Sequence, residues 1–479
     1  DKFWPFNLPS VSKIAEEGKQ ELIQARALTG ELGGFVSLYP AIAGFKDKKT
    51  YVVLFQNSME LRPTGGFIGS VAAATFLEGK LTDFAIQDVY ALDGQLKGHV
   101  DPPGPVRELL QQEHWYLRDS NWDPDFSKSA ERALWFYEKE SGNHVDGVIA
   151  VNVPFLLGIL SAIGPVDLAD YNDRITADNF FGKSLYYTQN NFFPGSTQKK
   201  DFLGSLVGAI LAKTTGSKSL QPALLRAFVH ALRGGDVLLW FTDGQAQAVV
   251  ERLDWAGRMP ASDQCIGEVE GTCLSDYFML VEANMSVNKV NYFLKRSIHH
   301  SIVFEEDGSA SESVQVSIRN VSPGDDKNGG GNYRVYSRWY VPEDAVLDSV
   351  TLDGVVVPER SLRKKGITEP PYVESEIASG NRIVAVAYDV GRGTERKVTV
   401  SYRRQRALSF IKNNATYDLL IQKQPGMLNT DMTTDVTFPI FWQPQAIGRG
   451  KVSFLAKQSR VTYNGDLSAT KEIKLGFVK

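Results

Sequence analysis

The sequence has little cysteine, which limits the covalent and metal sites that it can form. Cys265 and Cys273 are the two cysteines among 479 residues. The polar, glycine-containing segment between them favours a disulfide that closes a small loop, with two reduced core thiols as the alternative. A structural zinc site usually takes four Cys or His ligands, and the six histidines show no metal-ligand spacing, which argues against such a site.

An excess of positive charge is also absent. The chain has 52 Lys and Arg residues against 56 Asp and Glu residues, a formal net charge of -4. Proteins that hold nucleic acid through its phosphates need a basic field, so we expect no nucleic-acid partner. With 43% hydrophobic and 23% charged residues, the composition is that of a folded, soluble chain.

A clean membrane-spanning segment is missing as well. The longest apolar stretch, residues 149–166, contains Pro154, Gly158 and Gly164 and therefore predicts a strand, a helix and a turn. The chain begins at Asp1 in an aromatic and proline-rich segment, so we expect that a signal or anchor helix is missing upstream. This predicts an extracytoplasmic protein that is anchored in the membrane.

The pattern of apolar residues divides the chain into three parts. The first part, residues 1–48, contains a predicted stalk or docking helix at residues 14–28. Residues 49–290 alternate short apolar runs with helical stretches, which indicates an α/β layer domain. From residue 291 to 479 the period changes to two, and about ten short strands separated by turns predict a β-sandwich of immunoglobulin-like type.

A first polar cluster covers residues 54–70, LFQNSMELRPTGGFIGS. An apolar strand ends at Asn57, and Arg62 offers a planar fork that suits phosphate or carboxylate. Gly65 and Gly66 permit close backbone approach. The alternative is a tight hairpin turn whose arginine pairs with a structural acid.

Two acidic segments predict a second and a third cluster. Asp88 ends a predicted strand, where ligand sites of open α/β sheets tend to lie. In WYLRDSNWDPDF, the residues Arg118, Asp119, Asn121 and Asp123 lie close together between large aromatics. Their density suggests a divalent-metal or sugar-phosphate site.

Both acidic segments have a structural alternative. Asp88 is as well explained as a turn or capping residue. The acidic loop after Trp115 is explained by capping of the helix that follows, with Asp125 or Ser127 as the cap.

The fourth cluster is the pair Lys199 and Lys200, directly ahead of a predicted helix. Cations at a helix N-terminus oppose the macrodipole, so an anionic ligand such as phosphate is one interpretation, and solvated surface lysines are the other. The sequence contains no GxSxG, Walker, GxGxxG or HExxH motif, which excludes the common hydrolase, nucleotide and zinc-protease classes.

Several phrases resemble a bacterial cell-envelope family that is known only as a domain of unknown function: LFQNSMELRPTGGFIGS, LRDSNWDPDF, VDGVIAVNVPFLLGILSAIGPV, NKVNYFLKR and LLIQKQPG. In its order of elements, the α/β part is also similar to the LytR-CpsA-Psr phosphotransferases, which attach glycopolymers from polyprenyl-pyrophosphate carriers to peptidoglycan. The resemblance implies a three-layer domain with a mixed sheet. The resemblance places Arg62 at an arginine position of that family and Asp88 at an acid position. It places Lys199 and Lys200 at the start of a helix that is basic in that family.

The chain also departs from the phosphotransferase pattern. Asn57 and Thr64 replace two acids, and Gln87 replaces the arginine beside Asp88, so the usual metal ligands and one pyrophosphate clamp are missing. The acids of the loop that follows Trp115 are the candidate replacement.

Two hypotheses of function follow from the residues and the resemblance. In the first, a glycopolymer transferase acts on a polyprenyl-linked glycan or cell-wall polymer. The predicted substrate-binding residues are Asn57, Arg62, Arg118, Asn121, Lys199 and Lys200, the catalytic acids are Asp88 and Asp119, and the ligands of a Mg²⁺ ion are Asp88, Asp119 and Asp123. In the second, the chain is a non-catalytic surface protein that binds a glycan or lipid carrier and contacts partners through the sandwich.

Overall fold

The computed structural model describes residues 33–34, 36–189, 198–215, 217–260, 276–323, 329–360, 369–411, 413–428, 430–446, 452–455 and 459–479. The stalk helix predicted over residues 14–28, and the predicted Cys265–Cys273 disulfide, lie outside these residues. Residues 36–42 are helical.

A mixed five-stranded sheet forms the centre of the N-terminal part, with the order β3-β2-β1-β4-β7. Strands β1 and β4 run parallel and the other neighbours are antiparallel, which confirms the predicted mixed α/β class. A separate two-stranded ribbon is formed by β5 and β6. The strands are β1 Lys49–Asn57, β2 Phe67–Leu77, β3 Lys80–Asp88, β4 Gly147–Asn152, β5 Val166–Leu168, β6 Asp173–Ile175 and β7 Val237–Phe241.

β1, β2 and β3 follow one another without a helix between them, whereas helices follow β3, β4, β6 and β7. Local signals in the sequence explain where the two helices on either side of β4 begin and end. The helix α3 begins after Asp125, whose carboxylate accepts a hydrogen bond from the Ser127 amide at 3.0 Å, and ends at Gly142 in the left-handed region. The predicted capping role of Asp125 is thereby confirmed. Helix α4 has a proline in its first turn and ends before Gly164. The helices are α1 Val89–Asp93, α2 Gly104–Leu109, α3 Phe126–Ser141, α4 Val153–Ile163, α5 Phe180–Gln189, α6 Gln198–Thr215, α7 Gln221–Arg233 and α8 Gly244–Arg252, with 3-10 turns at Leu117–Asp119, Ala169–Tyr171, Lys218–Leu220 and Val290–Phe293.

The two faces of the central sheet are covered differently. Because side chains alternate along a strand, Val52 and Leu54 of β1 lie on one face, where α3 packs densely against the sheet. Val53 and Phe55 lie on the opposite face, which is turned toward α4, α5 and α6. This second face is incompletely filled and forms the wall of a cavity.

Two large sheets follow, and their apolar faces enclose the largest core of the chain. The eight-stranded sheet has the order β13-β12-β16-β10-β9-β18-β21-β20, and the seven-stranded sheet has the order β14-β15-β11-β8-β17-β22-β19. Trp339, Tyr340 and Trp442 are buried in or beside this core, as aromatic strand residues usually are. The β-rich C-terminal part is as predicted, and its immunoglobulin-like topology stays a prediction.

The first strand of the second sheet, β8, precedes the expected domain boundary at residue 291 and pairs with β11 and β17. The strands of the two sheets are β8 Asp276–Asn284, β9 Leu294–Phe304, β10 Ala310–Asn320, β11 Tyr333–Pro342, β12 Val346–Leu352, β13 Val355–Val356, β14 Tyr372–Ala378, β15 Asn381–Val390, β16 Glu395–Arg404, β17 Asn414–Gln422, β18 Thr430–Thr437, β19 Gln443–Ala446, β20 Val452–Leu455, β21 Arg460–Asp466 and β22 Lys471–Val478.

Within the described residues, each helix is too short or too polar to cross a bilayer.

Candidate functional site

A cavity with a volume of about 500 Å³ lies between the central sheet and helices α4, α5 and α6. Its wall is mostly apolar. The sheet contributes Val53, Phe55, Phe67, Phe84 and Val151, and the helices contribute Phe155, Leu156, Ile159, Phe180, Phe181, Leu185, Phe202, Leu203, Val207, Ile210, Leu211 and Leu224. A lining of this kind favours a long apolar ligand.

The composition of helix α4 is explained by this cavity. Its sequence, VPFLLGILSAI, is apolar on nearly every side, yet only Ile159, Leu160 and Ile163 are fully buried. Phe155 and Leu156 are half-buried, because each packs against neighbouring apolar residues on one side and lines the cavity on the other.

Polar groups line the cavity where the parallel strands β1 and β4 end. Gln56 is paired in register with Asn152, and Ser70 of β2 is paired with Phe55. The carboxyl ends of β1 and β4 therefore place Gln56, Asn57, Ser70 and Asn152 along one edge of the sheet, which is a common position for ligand sites in α/β proteins.

This polar edge is partly fixed by hydrogen bonds. The side chains of Gln56 and Thr64 bond to each other at 3.1 Å, and Asn152 donates to the carbonyl of Thr64 at 3.3 Å. The Oδ1 atom of Asn57 accepts from the Met59 amide at 3.2 Å. Lys289 and Glu60 are the charged residues in the lining.

Arg62 is buried, and its guanidinium is bonded to other groups of the protein. Its side chain is 3% exposed. The guanidinium donates to the carbonyl of Asn284 at 2.6 Å, to Glu60 at 3.0 Å and to Asp119 at 3.4 Å. These contacts correspond to the alternative interpretation of the first cluster, an arginine that pairs with structural acids.

Arg118 is held in a similar way. Its guanidinium donates to Asp93 at 2.8 Å and to Gln112 at 2.9 Å, and lies over the ring of Tyr116 at 4.5 Å. Burial raises the pKa of Asp93 to about 6, although the positive charge of Arg118 opposes that rise. Burial likewise raises the pKa of Glu140, on helix α3, to about 8, with the nearby charge of Asp93 as a further cause.

The three acids predicted to bind Mg²⁺ have separate positions. Asp88 caps helix α1 and accepts from the Tyr90 amide at 2.9 Å. Asp119 faces Arg62, while Asp123 is 42% exposed and accepts from the Asp125 amide at 2.9 Å.

Among the described residues, one group of three potential metal ligands converges, Asp276, His300 and Glu312, whose ligand atoms lie within 4.8 Å of one another. It lies inside the sandwich, where His300 and the Tyr402 hydroxyl bond to Glu312 at 3.0 and 2.8 Å, and Arg404 lies 3.6 Å from Asp276. Because these side chains already bond to one another and to Arg404, the group is explained as a buried ionic network. The predicted Mg²⁺ set does not form such a group, so these residues do not fit the ion.

The remaining predicted residues, Asn121, Lys199 and Lys200, are not among the residues that line the cavity within the described part of the chain. Asn121 is buried and donates to the carbonyl of Gly66 at 2.8 Å, and so supports the RPTGG turn. Lys199 and Lys200 lie in the first turn of α6, and their side chains are outside the described part.

The RPTGG and QKQPG motifs meet at the junction of the α/β part and the sandwich. A Cβ atom on Gly426 would lie 2.2 Å from the carbonyl oxygen of Gly65, so the two backbones pass in direct contact. Gln424 is buried and bonds to Arg62 O at 3.1 Å and to both the amide and the carbonyl of Glu282 at 2.8 Å.

Asn291 adds to this junction, since it accepts from the Leu61 amide at 3.1 Å and from the Asn284 side chain at 2.8 Å. The motifs therefore build a buried polar seam that supports the edge of the cavity.

Sequence reasoning missed the cavity itself and a pair of exposed histidines, His99 and His114. The Nδ1 atoms of the two imidazoles lie 2.7 Å apart. A sequence signal for the cavity exists, because α4 is apolar on every side at a length too short for a membrane span.

Comparison with known proteins gives little similarity. No curated protein sequence matches the chain. Similar solved structures include the M1 zinc metallopeptidase from Deinococcus radiodurans, at 11% identity over 39% of this chain and 42% of that chain, with a TM-score of 0.21. A two-domain M1 zinc metallopeptidase mutant bound to L-tryptophan gives 10% identity over the same shares, with a TM-score of 0.22. The chain thus spans less than half the length of the structures that it matches.

The family comparison agrees with one part of the sequence resemblance. It covers residues 46–186, which contain β1 to β6, α1 to α4 and most of α5. This part of the chain matches the profile of a family described as "Protein of unknown function (DUF4012)", which supports the predicted relation to a domain-of-unknown-function family.

Proposed function

We propose that the α/β part binds a long-chain lipid carrier with a phosphorylated head group, of the polyprenyl phosphate or pyrophosphate class. The observation that carries this proposal is the apolar cavity of about 500 Å³ with a polar edge at the ends of β1 and β4. The lipid chain occupies the space between the sheet and helices α4 to α6, and the head group lies at the polar edge.

The apolar wall supplies the affinity for the chain. Each buried methylene contributes roughly 0.8 kcal/mol, so a chain of ten or more carbons gains enough to offset the loss of freedom on binding. A second groove, between β3 and α6, shares Phe84, Val207 and Leu211 with the cavity. A chain longer than the cavity extends along this groove.

The polar edge accommodates the head group. Lys289 supplies positive charge in the lining, and the side-chain amide of Asn57 supplies N–H donors. Gln56 and Asn152 are bonded to Thr64, so they hold the edge in place. Arg62 and Arg118 do not contact the head group directly, since their guanidinium groups are bonded to protein carboxylates. They support the residues of the polar edge from behind.

The proposed binding takes place at the cell envelope, where such carriers are found. This location agrees with the expectation that the protein is extracytoplasmic and anchored in the membrane. Transfer of a glycopolymer from the carrier stays a prediction of the phosphotransferase resemblance. The proposed binding does not depend on Mg²⁺, because Asp88, Asp119 and Asp123 do not converge among the described residues.

Isothermal calorimetry with geranylgeranyl phosphate tests the proposal. The variant Leu203→Trp fills the cavity from α6, and Leu225→Trp is its matched control, because Leu225 is an exposed leucine on α7 outside the lining. We expect saturable binding to the wild type and to Leu225→Trp, and a loss of at least tenfold in Leu203→Trp. Equal binding by both variants, or none by the wild type, refutes the proposal.

A second titration distinguishes binding of the phosphate head group from binding of the lipid chain. Geranylgeraniol has the same chain without phosphate, and Lys289→Met removes the charge near the polar edge. We expect Lys289→Met to weaken binding of the phosphate and to leave binding of the alcohol unchanged. If both ligands weaken equally, the head group does not lie at this edge.

A further inference from the structure

The loops that follow α1 and α2 bring two exposed histidines together. His99 follows Gly98, whose φ of +93° is in the region that glycine favours. His114 lies in the loop after α2. The amide of Trp115 donates to the carbonyl of Val100 at 2.8 Å, so a backbone hydrogen bond joins the two loops directly beside the histidines. The backbone therefore holds the two side chains near each other.

The imidazoles face each other through the same type of nitrogen. The Nδ1 atoms lie 2.7 Å apart, and the rings are nearly perpendicular, with centroids 4.3 Å apart. In a neutral pair, one Nδ1 must donate to the other. Both side chains are exposed to water, which competes for that hydrogen bond and makes its net contribution small.

A carboxylate fixes the tautomer of His99. The Nε2 atom of His99 lies 3.2 Å from Asp101 Oδ1, and Asp101 is itself bonded to Arg107 at 3.3 Å. An ionised carboxylate only accepts, so Nε2 carries the proton and the lone pair of Nδ1 points toward His114. A histidine that donates one nitrogen to a carboxylate while the other is free to coordinate is the usual arrangement around protein-bound metals.

We infer that His99 and His114 form a two-nitrogen site for a divalent transition-metal ion such as Zn²⁺, Ni²⁺ or Cu²⁺. Imidazole suits these ions, while Mg²⁺ prefers oxygen ligands. The ion enters between the two Nδ1 atoms, which move apart from 2.7 Å to roughly 2.9–3.4 Å to reach metal–nitrogen distances of about 2.0–2.1 Å. Water fills the other positions, because the site is open to solvent, so the ion exchanges readily.

The bound ion links the two loops beside the Arg118 network. Gln112, in the loop that carries His114, accepts from Arg118 at 2.9 Å, and the rings of His114 and Tyr116 lie 5.9 Å apart. A metal link between the loops stabilises the segment that holds Arg118.

Calorimetry of the tag-free protein with Zn²⁺ tests the site. We expect one ion per chain, a loss of at least tenfold in affinity in His99→Ala and His114→Ala, and a smaller loss in Asp101→Asn. The control is His144→Ala, because His144 is 82% exposed and pairs with Glu138 without a second histidine. His144→Ala should bind as the wild type does, and excess Mg²⁺ should not compete.

Spectroscopy of the Cu²⁺ form checks the ligands independently of affinity. Electron paramagnetic resonance should show two coordinating nitrogens in the wild type and one in His114→Ala. Zn²⁺ affinity that is unchanged in His99→Ala and His114→Ala overturns the inference, as does a Cu²⁺ signal without two nitrogens. Weak binding of several ions in every variant would also overturn it, since it would mean adventitious surface binding only.

Discussion

Replacing Glu140 with glutamine should make the protein's stability less sensitive to alkaline pH. Glu140 is 5% exposed, and its Oε1 atom accepts from the Leu117 amide at 3.4 Å. Its Oε2 atom has no hydrogen-bond partner among the described residues. Burial, with the charge of Asp93 nearby, raises the pKa of Glu140 from 4.5 to about 8.

The sign of the effect follows from proton linkage. Between pH 4.5 and pH 8, the folded protein holds a proton on Glu140 that the unfolded chain releases. The contribution of this group to stability is therefore complete below about pH 4.5 and is lost as the pH rises through 8. The interval from 4.5 to 8, at about 1.36 kcal/mol per pH unit, sets an upper limit of about 5 kcal/mol on that loss.

Urea unfolding at pH 5 and pH 9 measures this loss. Glutamine keeps an acceptor for the Leu117 amide and cannot ionise, so the stability of Glu140→Gln relative to the wild type should rise by at least about 2 kcal/mol between the two pH values. The control Glu131→Gln removes an exposed carboxylate from the same helix, and its difference from the wild type should stay small at both pH values. A Glu140→Gln difference that is the same at pH 5 and pH 9 refutes the reasoning.

Three further predictions concern the seam, the sandwich and the cavity. Gln424→Ala removes three buried hydrogen bonds and should destabilise the chain by about 2–4 kcal/mol in urea unfolding, whereas a change below about 0.5 kcal/mol would show that the seam is not stabilising. Arg296→Met leaves Glu282 without its bidentate partner, at 2.9 and 3.0 Å, and should lower the free energy of unfolding by about 3–5 kcal/mol. The double variant with Glu282→Met should recover most of this loss. A double variant as unstable as Arg296→Met alone contradicts this prediction. In calorimetry of linear alkyl phosphates, each methylene removed should weaken binding by about 0.8 kcal/mol until the chain no longer fills the cavity, and an affinity independent of length contradicts an apolar site.

Local signals predicted the elements well. The run FSKSAERALWFYEKES corresponds to α3, and VPFLLGILSAI to α4, because a cap or an early proline marks the start and a glycine follows the end. Gly65 was predicted to allow close backbone approach, and it does, although the neighbours are Gly426 and Asn152 rather than a ligand.

The partners of the polar residues could not be predicted in the same way. Arg62 bonds to Asp119 and to the carbonyl of Asn284, which follow it by 57 and 222 residues. No local pattern records pairings over such distances, so an arginine that suits phosphate is indistinguishable in sequence from one that pairs with buried acids. The apolar composition of α4 indicates an apolar environment, but the shape and position of the cavity depend on how α4, α5 and α6 pack together, so no single helix predicts them.

The central claim, that a lipid chain occupies the space between the sheet and helices α4 to α6, is tested most directly by photolabelling. A geranylgeranyl phosphate analogue with a diazirine in its chain is cross-linked to the wild type, and the labelled peptides are identified by mass spectrometry. We expect labels on the cavity-facing residues of α4 and α6, such as Phe155, Leu156 and Leu203, and we expect unlabelled lipid to reduce them. Labels confined to exposed apolar residues such as Ile440, or labelling that unlabelled lipid does not reduce, would contradict it.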